Sequence, residues 1–96
     1  MAEPDLDIVI RRIAKQQHKS LMEAAKKRRD QFVALAAAAK SKATRDRHRR
    51  MAKHTMLYAT ATAKRLQISA ENAADSYARS MKKAAEETPP KSPKET

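Results

Sequence analysis

The sequence contains no glycine and no cysteine, and each absence excludes a class of structure or chemistry. Without cysteine the chain forms no disulfides and offers no thiolate nucleophile or thiolate metal ligand, which suits a reducing compartment. Without glycine, the tight hairpin turns that need positive φ are disfavoured and a glycine-rich phosphate-binding loop is excluded. Strand-forming residues are also scarce, so the composition predicts an all-α fold.

Large apolar side chains are few. Of the 39 hydrophobic residues, 20 are alanine, which leaves only 19 larger apolar side chains. A chain of 96 residues with so few large side chains makes only a marginal globular core. We therefore expect long helices that pack closely through small residues and that associate with further copies as a homo-oligomer.

Long hydrophobic runs are absent as well. The longest, Phe32–Ala39, has eight residues, whereas a membrane-spanning helix needs about 20. The N-terminal segment carries Glu3, Asp5 and Asp7 instead of a basic region followed by an apolar stretch, which is not the pattern of a secretory or transit peptide. We expect a cytoplasmic, nucleoid or nuclear protein that is neither secreted nor transmembrane.

Two apolar stripes with steps of three and four residues run along the chain, as expected for helices. The first stripe is interrupted by a glutamine and an arginine and consists of Leu6, Ile10, Ile13, Gln17, Leu21, Ala24, Arg28, Phe32, Leu35 and Ala39. The second is heptad-like and rich in alanine, and consists of Ala52, Met56, Ala59, Ala63, Leu66, Ala70, Ala73, Tyr77, Met81 and Ala84. Between the stripes, the hydroxyls of Ser41 and Thr44 supply turn-forming and helix-capping chemistry.

These features predict one domain over residues 1–87, a long antiparallel helical hairpin with coiled-coil-like packing of alanines. We expect a helix from about residue 4 to 41, a bend at about 41–45 and a second helix from about 45 to 87. Residues 88–96, TPPKSPKET, predict a disordered tail because they include three prolines and no large apolar residue. Two alternatives stay open: a three- or four-helix bundle, in which Ser20 and Ser69 cap shorter helices, or a single long helix that dimerises as a rod.

Folding the chain near residue 43 brings the two stripes together, with Leu6 beside Met81 and Phe32 beside Met56. The same register places five pairs of opposite charge side by side: Asp7–Arg79, Glu3–Lys83, Arg11–Asp75, Lys15–Glu71 and Glu23–Lys64. Exposed ion pairs contribute about 0–1 kcal/mol each, so these pairs indicate a register and do not explain stability.

The net charge is +11, and residues 11–53 alone carry +12. Such a chain attracts polyanions, which include nucleic acid, acidic protein surfaces and anionic lipid. The densest run, KSKATRDRHRRMAKH at residues 40–54, holds seven Lys or Arg and one acid, Asp46. Because a solubilising surface normally mixes both signs of charge, this run at the tip of a hairpin predicts an anion-binding site.

A second run, KKRR at residues 26–29, precedes Phe32 and places Arg28 on the first apolar stripe. We expect the Arg28 side chain to pack its methylene groups there and to extend its guanidinium to water. The residues predicted to bind anions are Lys26, Lys27, Arg28, Arg29, Lys42, Arg45, Arg47, Arg49, Arg50 and Lys53.

The sequence contains no constellation that indicates catalysis. His18, His48 and His54 are scattered and expected to be exposed, and no metal-ligand spacing occurs, so we predict no enzyme, no cofactor and no metal site.

The sequence predicts a basic helical protein that binds nucleic acid, mainly through backbone phosphates because aromatic residues for base stacking are scarce. The alternative is a protein-interaction module, such as an adaptor, inhibitor or assembly factor, that docks on an acidic partner surface. A membrane surface has less support, because the apolar residues near the KKRR run are mostly alanine.

Overall fold

The computed structural model describes residues 5–87, which form two long α-helices packed antiparallel as an extended hairpin. Helix α1 spans Leu6–Ala38 and helix α2 spans Lys42–Glu87. The predicted all-α hairpin is confirmed. Each helix is continuous, which excludes a three- or four-helix bundle within one chain and also the single long helix. The predicted disordered tail at residues 88–96, together with Glu3 and its expected contact with Lys83, lies outside the described residues.

The bend occupies residues 39–41, slightly earlier than the expected 41–45. Ala39 leaves the helix with φ −69° and ψ 139°, while its backbone N–H donates to the Ala36 carbonyl at 3.2 Å. Ser41 then caps α2, because its Oγ accepts the backbone N–H of Thr44 at 3.1 Å. The turn between α1 and α2 contains no residue at positive φ, which explains how a chain without glycine makes this turn.

Small side chains form the contact between the helices. The buried residues are all alanines, namely Ala25, Ala36, Ala52, Ala59, Ala63 and Ala74. Within residues 5–87 no large side chain is fully buried. Alanine allows two helix axes to approach closely, so the packing is tight although it buries little apolar area.

The inward-facing side of α1 is rotated by less than one residue from the predicted stripe, of which Ile10, Leu21 and Phe32 are half-buried as expected. Leu6, Ile13 and Leu35 were expected in the contact, and each remains about half exposed, whereas the neighbouring alanines Ala25 and Ala36 are buried. On α2 the predicted stripe holds at Ala52, Ala59 and Ala63, but Leu66 and Met81 are exposed.

The register between the helices agrees with the prediction at one ion pair and departs from it elsewhere. Arg11 donates to Asp75 at 2.6 Å, as expected, and also to Glu71 at 3.0 Å, where Lys15 was the predicted partner. Phe32 stacks on His48, with ring centroids 6.3 Å apart, where Met56 was expected. Met56 is about two helical turns further along α2.

Helix α2 extends beyond the start of α1. Tyr77 is the last half-buried residue of α2, and every residue from 78 to 87 is exposed. This segment of about three turns, called the overhang below, has no neighbouring helix within the described chain. Neither α1 nor α2 is long and apolar enough to cross a membrane.

Candidate anion-binding site

The half of the hairpin nearest the bend, called the basic half below, comprises residues 26–55 and carries most of the positive charge. It contains eleven Lys or Arg and two acids, a net charge of +9. The rest of the described chain, residues 5–25 and 56–87, contains nine Lys or Arg and seven acids, a net charge of +2. The antiparallel packing causes this separation, because it brings the KKRR run beside the run that follows the bend.

Both acids of the basic half are already paired with cations of the same half. Asp30 binds the guanidinium of Arg29 at 3.1 Å, and Asp46 binds the ammonium of Lys42 at 3.1 Å. The hydrogen bond from Lys42 lowers the pKa of Asp46 below its ordinary value; partial burial opposes this, and the charges of Lys42, Arg49 and Arg50 add to it. Within residues 5–87, the other nine cations of the basic half have no carboxylate at ion-pair distance.

The two broad sides of the hairpin differ in character. One side carries an open groove lined by apolar residues of both helices, among them Leu21, Ala24, Met51 and Tyr58. We call this side the groove flank. Since successive helical residues are rotated by about 100°, Lys26 is turned about 200° from Ala24, and Arg49 about 180° from Tyr58. Both therefore lie on the opposite side of the hairpin.

That opposite side, the basic flank, collects four of the predicted site residues: Lys26, Lys42, Arg49 and Lys53. The last three lie within about 40° of one another around α2, because they are spaced by seven and four residues. All four side chains are exposed. Together they line about 20 Å of the hairpin from the bend.

The structure places the other predicted site residues elsewhere. Arg29 is half-buried beside the basic flank and engaged by Asp30, and Arg45 is half-buried toward α1. Lys27 and Arg50 are exposed on the outer surfaces of their helices. Arg28 and Arg47 lie on the groove flank, about 40° from Ala24 and about 20° from Tyr58 respectively. The ten residues therefore surround the basic half and do not form one patch.

A stack of three side chains crosses the hairpin near the bend. The Arg28 guanidinium lies over the Phe32 ring at 4.9 Å from its centroid, and Phe32 stacks on His48 with an interplanar angle of 28°. Arg28 thus contacts an aromatic face instead of only extending to water. His48, predicted to be exposed, is half-buried, and its Nδ1 has no hydrogen-bond partner among the described residues. The spacing of Arg28 and Phe32, one helical turn, was the available signal for the cation–π contact.

Among residues 5–87, no group of three or more His, Asp or Glu side chains is arranged to hold a metal ion. Comparison with known protein families, curated proteins and solved structures gives no match for the chain.

Proposed function

We propose that this protein binds nucleic acid without catalysing a reaction, and that the basic half of the hairpin contacts the backbone phosphates. The observation that carries the proposal is the set of nine cations for which no carboxylate of residues 5–87 lies at ion-pair distance. Self-repulsion among these cations remains until an external polyanion arrives.

The shape of the basic half suits a phosphate backbone. Double-stranded DNA carries one negative charge per about 1.7 Å of its axis, so a row of cations about 20 Å long meets several phosphates at once. Each contact releases condensed counterions, which supplies most of the binding free energy. Tyr58 is exposed but lies on the groove flank, and no aromatic ring of residues 5–87 lies on the basic flank. Phosphate contacts, and not base stacking, therefore carry the binding.

The salt dependence of binding to duplex DNA is the first test. If about five phosphates are neutralised, the slope of log K against log salt concentration is about −4 to −5. Fluorescence anisotropy with labelled duplex DNA and RNA, between about 50 and 200 mM salt, measures this slope. Binding that does not change across this range contradicts the proposal.

A matched pair of variants tests the location of the contact. Lys26→Gln with Arg49→Gln and Lys53→Gln removes three charges from the basic flank. Lys64→Gln with Lys82→Gln and Lys83→Gln removes the same charge from the other half. The first variant should bind about 100-fold more weakly at about 100 mM salt, with a salt slope shallower by about 2.7, because each lost phosphate contact contributes about 0.9 to the slope. The second should bind within a few-fold of the parent.

Equal losses in both variants would mean that net charge, and not the basic flank, determines binding. An acidic protein surface is the competing ligand, and an acidic protein control in the same titration distinguishes it. Tighter binding to that control than to either nucleic acid would replace this proposal with a protein-interaction module.

A further inference from the structure

The groove flank exposes several large apolar side chains. Tyr58 is 70% exposed, and Leu6, Ile13, Leu35 and Met51 are each between 44% and 54% exposed. The groove between the helices has a volume of about 490 Å³ and is lined mainly by apolar atoms of Leu21, Ala24, Ala25, Met51, Tyr58 and Ala59.

These exposed side chains lie on one side of the hairpin, in a strip that polar residues interrupt. At about 100° per residue, Leu6, Ile13 and Leu35 all lie within about 20° of Ala24 around α1. Met51 lies within about 20° of Tyr58 around α2. Gln17, Arg28 and Gln31 are the polar interruptions on the α1 side. The strip therefore runs along the whole of α1 and continues across the groove onto α2.

The area of this strip matches that of a protein interface. From Leu6 to Leu35 it is about 44 Å long, and two helices side by side make it about 20 Å wide. This gives on the order of 800 Å², the area that each partner contributes to a standard stable interface. The hairpin also lacks any fully buried large side chain within residues 5–87, so a second layer would supply the missing core.

We propose that the groove flank binds the groove flank of a second copy of this chain, with the two hairpins antiparallel, to form a four-helix bundle. Tyr58 of each copy fills the apolar groove of the other. The basic flanks then face outward on opposite sides of the dimer and stay accessible. This inference does not depend on nucleic-acid binding.

Charge determines the antiparallel orientation. A parallel pair would place two basic halves, each of net charge +9, beside each other. An antiparallel pair centred on Ala24 and Tyr58 separates the two bends by about 55 Å.

The test begins with the mass of the chain in solution, measured by light scattering after size exclusion and by sedimentation from about 1 to 100 μM. The unaltered chain should be a dimer at the upper end of this range, because an interface of this size typically binds at micromolar concentration or tighter. Tyr58→Glu places a charge in the contact and should give a monomer. Leu57→Glu makes the same change at an exposed residue on the outer surface of α2 and should leave the dimer intact.

Circular dichroism of both variants keeps the result interpretable. If Tyr58→Glu unfolds while Leu57→Glu stays helical, the result still supports the dimer, because a side chain 70% exposed in one hairpin cannot be needed to fold that hairpin alone. A chain that is monomeric at all concentrations, or a dimer that Tyr58→Glu does not change, overturns the proposal. In either case the groove is left for a different protein.

The absence of native cysteine allows the orientation to be tested with one introduced thiol. A spin label on Lys40→Cys, beside the bend, should report a distance of about 55 Å between copies in the antiparallel dimer. Side-by-side bends in a parallel dimer would give about 10–20 Å. A short distance would overturn the proposed orientation.

Discussion

At the scale of single residues, Arg11 and Asp46 show how the charge of this chain is arranged. Arg11 makes both ion pairs that join α1 to α2 within residues 5–87, and it also approaches Asp7 at 3.5 Å on its own helix. The hydrogen bond to Glu71 and the surrounding carboxylates raise the pKa of the Arg11 guanidinium above its ordinary value. Acids are therefore concentrated around one arginine at the open end, while the four arginines at residues 45–50 have Asp46 alone among them.

Asp46 should titrate below its ordinary pKa of 3.8. The folded-state pKa is depressed, so the interaction with Lys42 favours folding above the unfolded pKa, and this contribution is lost as pH falls through the folded pKa. Side-chain carboxyl chemical shifts measured by NMR against pH will give the midpoint. Lys42→Gln should move the midpoint upward, because it removes the hydrogen bond that lowers the pKa of Asp46 most while the opposing partial burial remains. A midpoint at or above 3.8 in the unaltered chain would contradict this account.

At the scale of the helices, side-chain size determines which side of α1 faces α2. The periodicity of the sequence identified both helices, and the hydroxyls of Ser41 and Thr44 indicated the bend. The rotation of α1 was not predicted, because the large residues Leu6, Ile13 and Leu35 were assigned to the contact. Ala25 and Ala36 lie beside that stripe, and helices that approach closely through alanine leave little room for larger side chains between them. Hydrophobic periodicity selects the stripe with the larger side chains, so it did not indicate that Ala25 and Ala36 would be the buried residues.

Replacing a buried alanine with leucine tests this packing. Ala36 is 3% exposed, whereas Ala34, two residues earlier on the outer surface of α1, is exposed. Ala36→Leu should lower the free energy of unfolding by about 1–3 kcal/mol, because the added carbons force the helices apart. Ala34→Leu should change it by less than about 0.5 kcal/mol. Urea unfolding followed by circular dichroism measures both, and equal effects would show that α1 does not pack through Ala36.

At the scale of the whole molecule, the hairpin fold and the position of the basic half along the chain were predictable from the sequence. The run at residues 40–54 contains so few acids that most of its cations had to lack intramolecular carboxylates. Which flank each cation occupies was not predictable, because that depends on the side of each helix that faces the contact. Arg28 and Arg49 belong to similar basic runs, yet they lie on opposite sides of the hairpin.

Amide hydrogen exchange should decrease in a graded way from the open end of α2 toward its middle. Residues 78–87 form the overhang and have no neighbouring helix, so their backbone hydrogen bonds open locally and should exchange fastest. Residues near Ala59 and Ala63 pack against α1 and should be the most protected. The proposed antiparallel dimer leaves the overhang uncovered, so dimerisation should not protect it. Uniform protection along α2 would show that the overhang is covered.

The unequal charge of the two halves gives one hairpin an electric polarity, with a strongly positive end and a nearly neutral end. A polyanion exerts a torque on such a body as well as an attraction, so a single copy approaches with its bend first. Two copies related by a two-fold axis cancel this polarity and come to lie alongside the polyanion. The orientation on arrival therefore depends on protein concentration. Added salt weakens the alignment in both cases, because it shortens the distance over which the field acts.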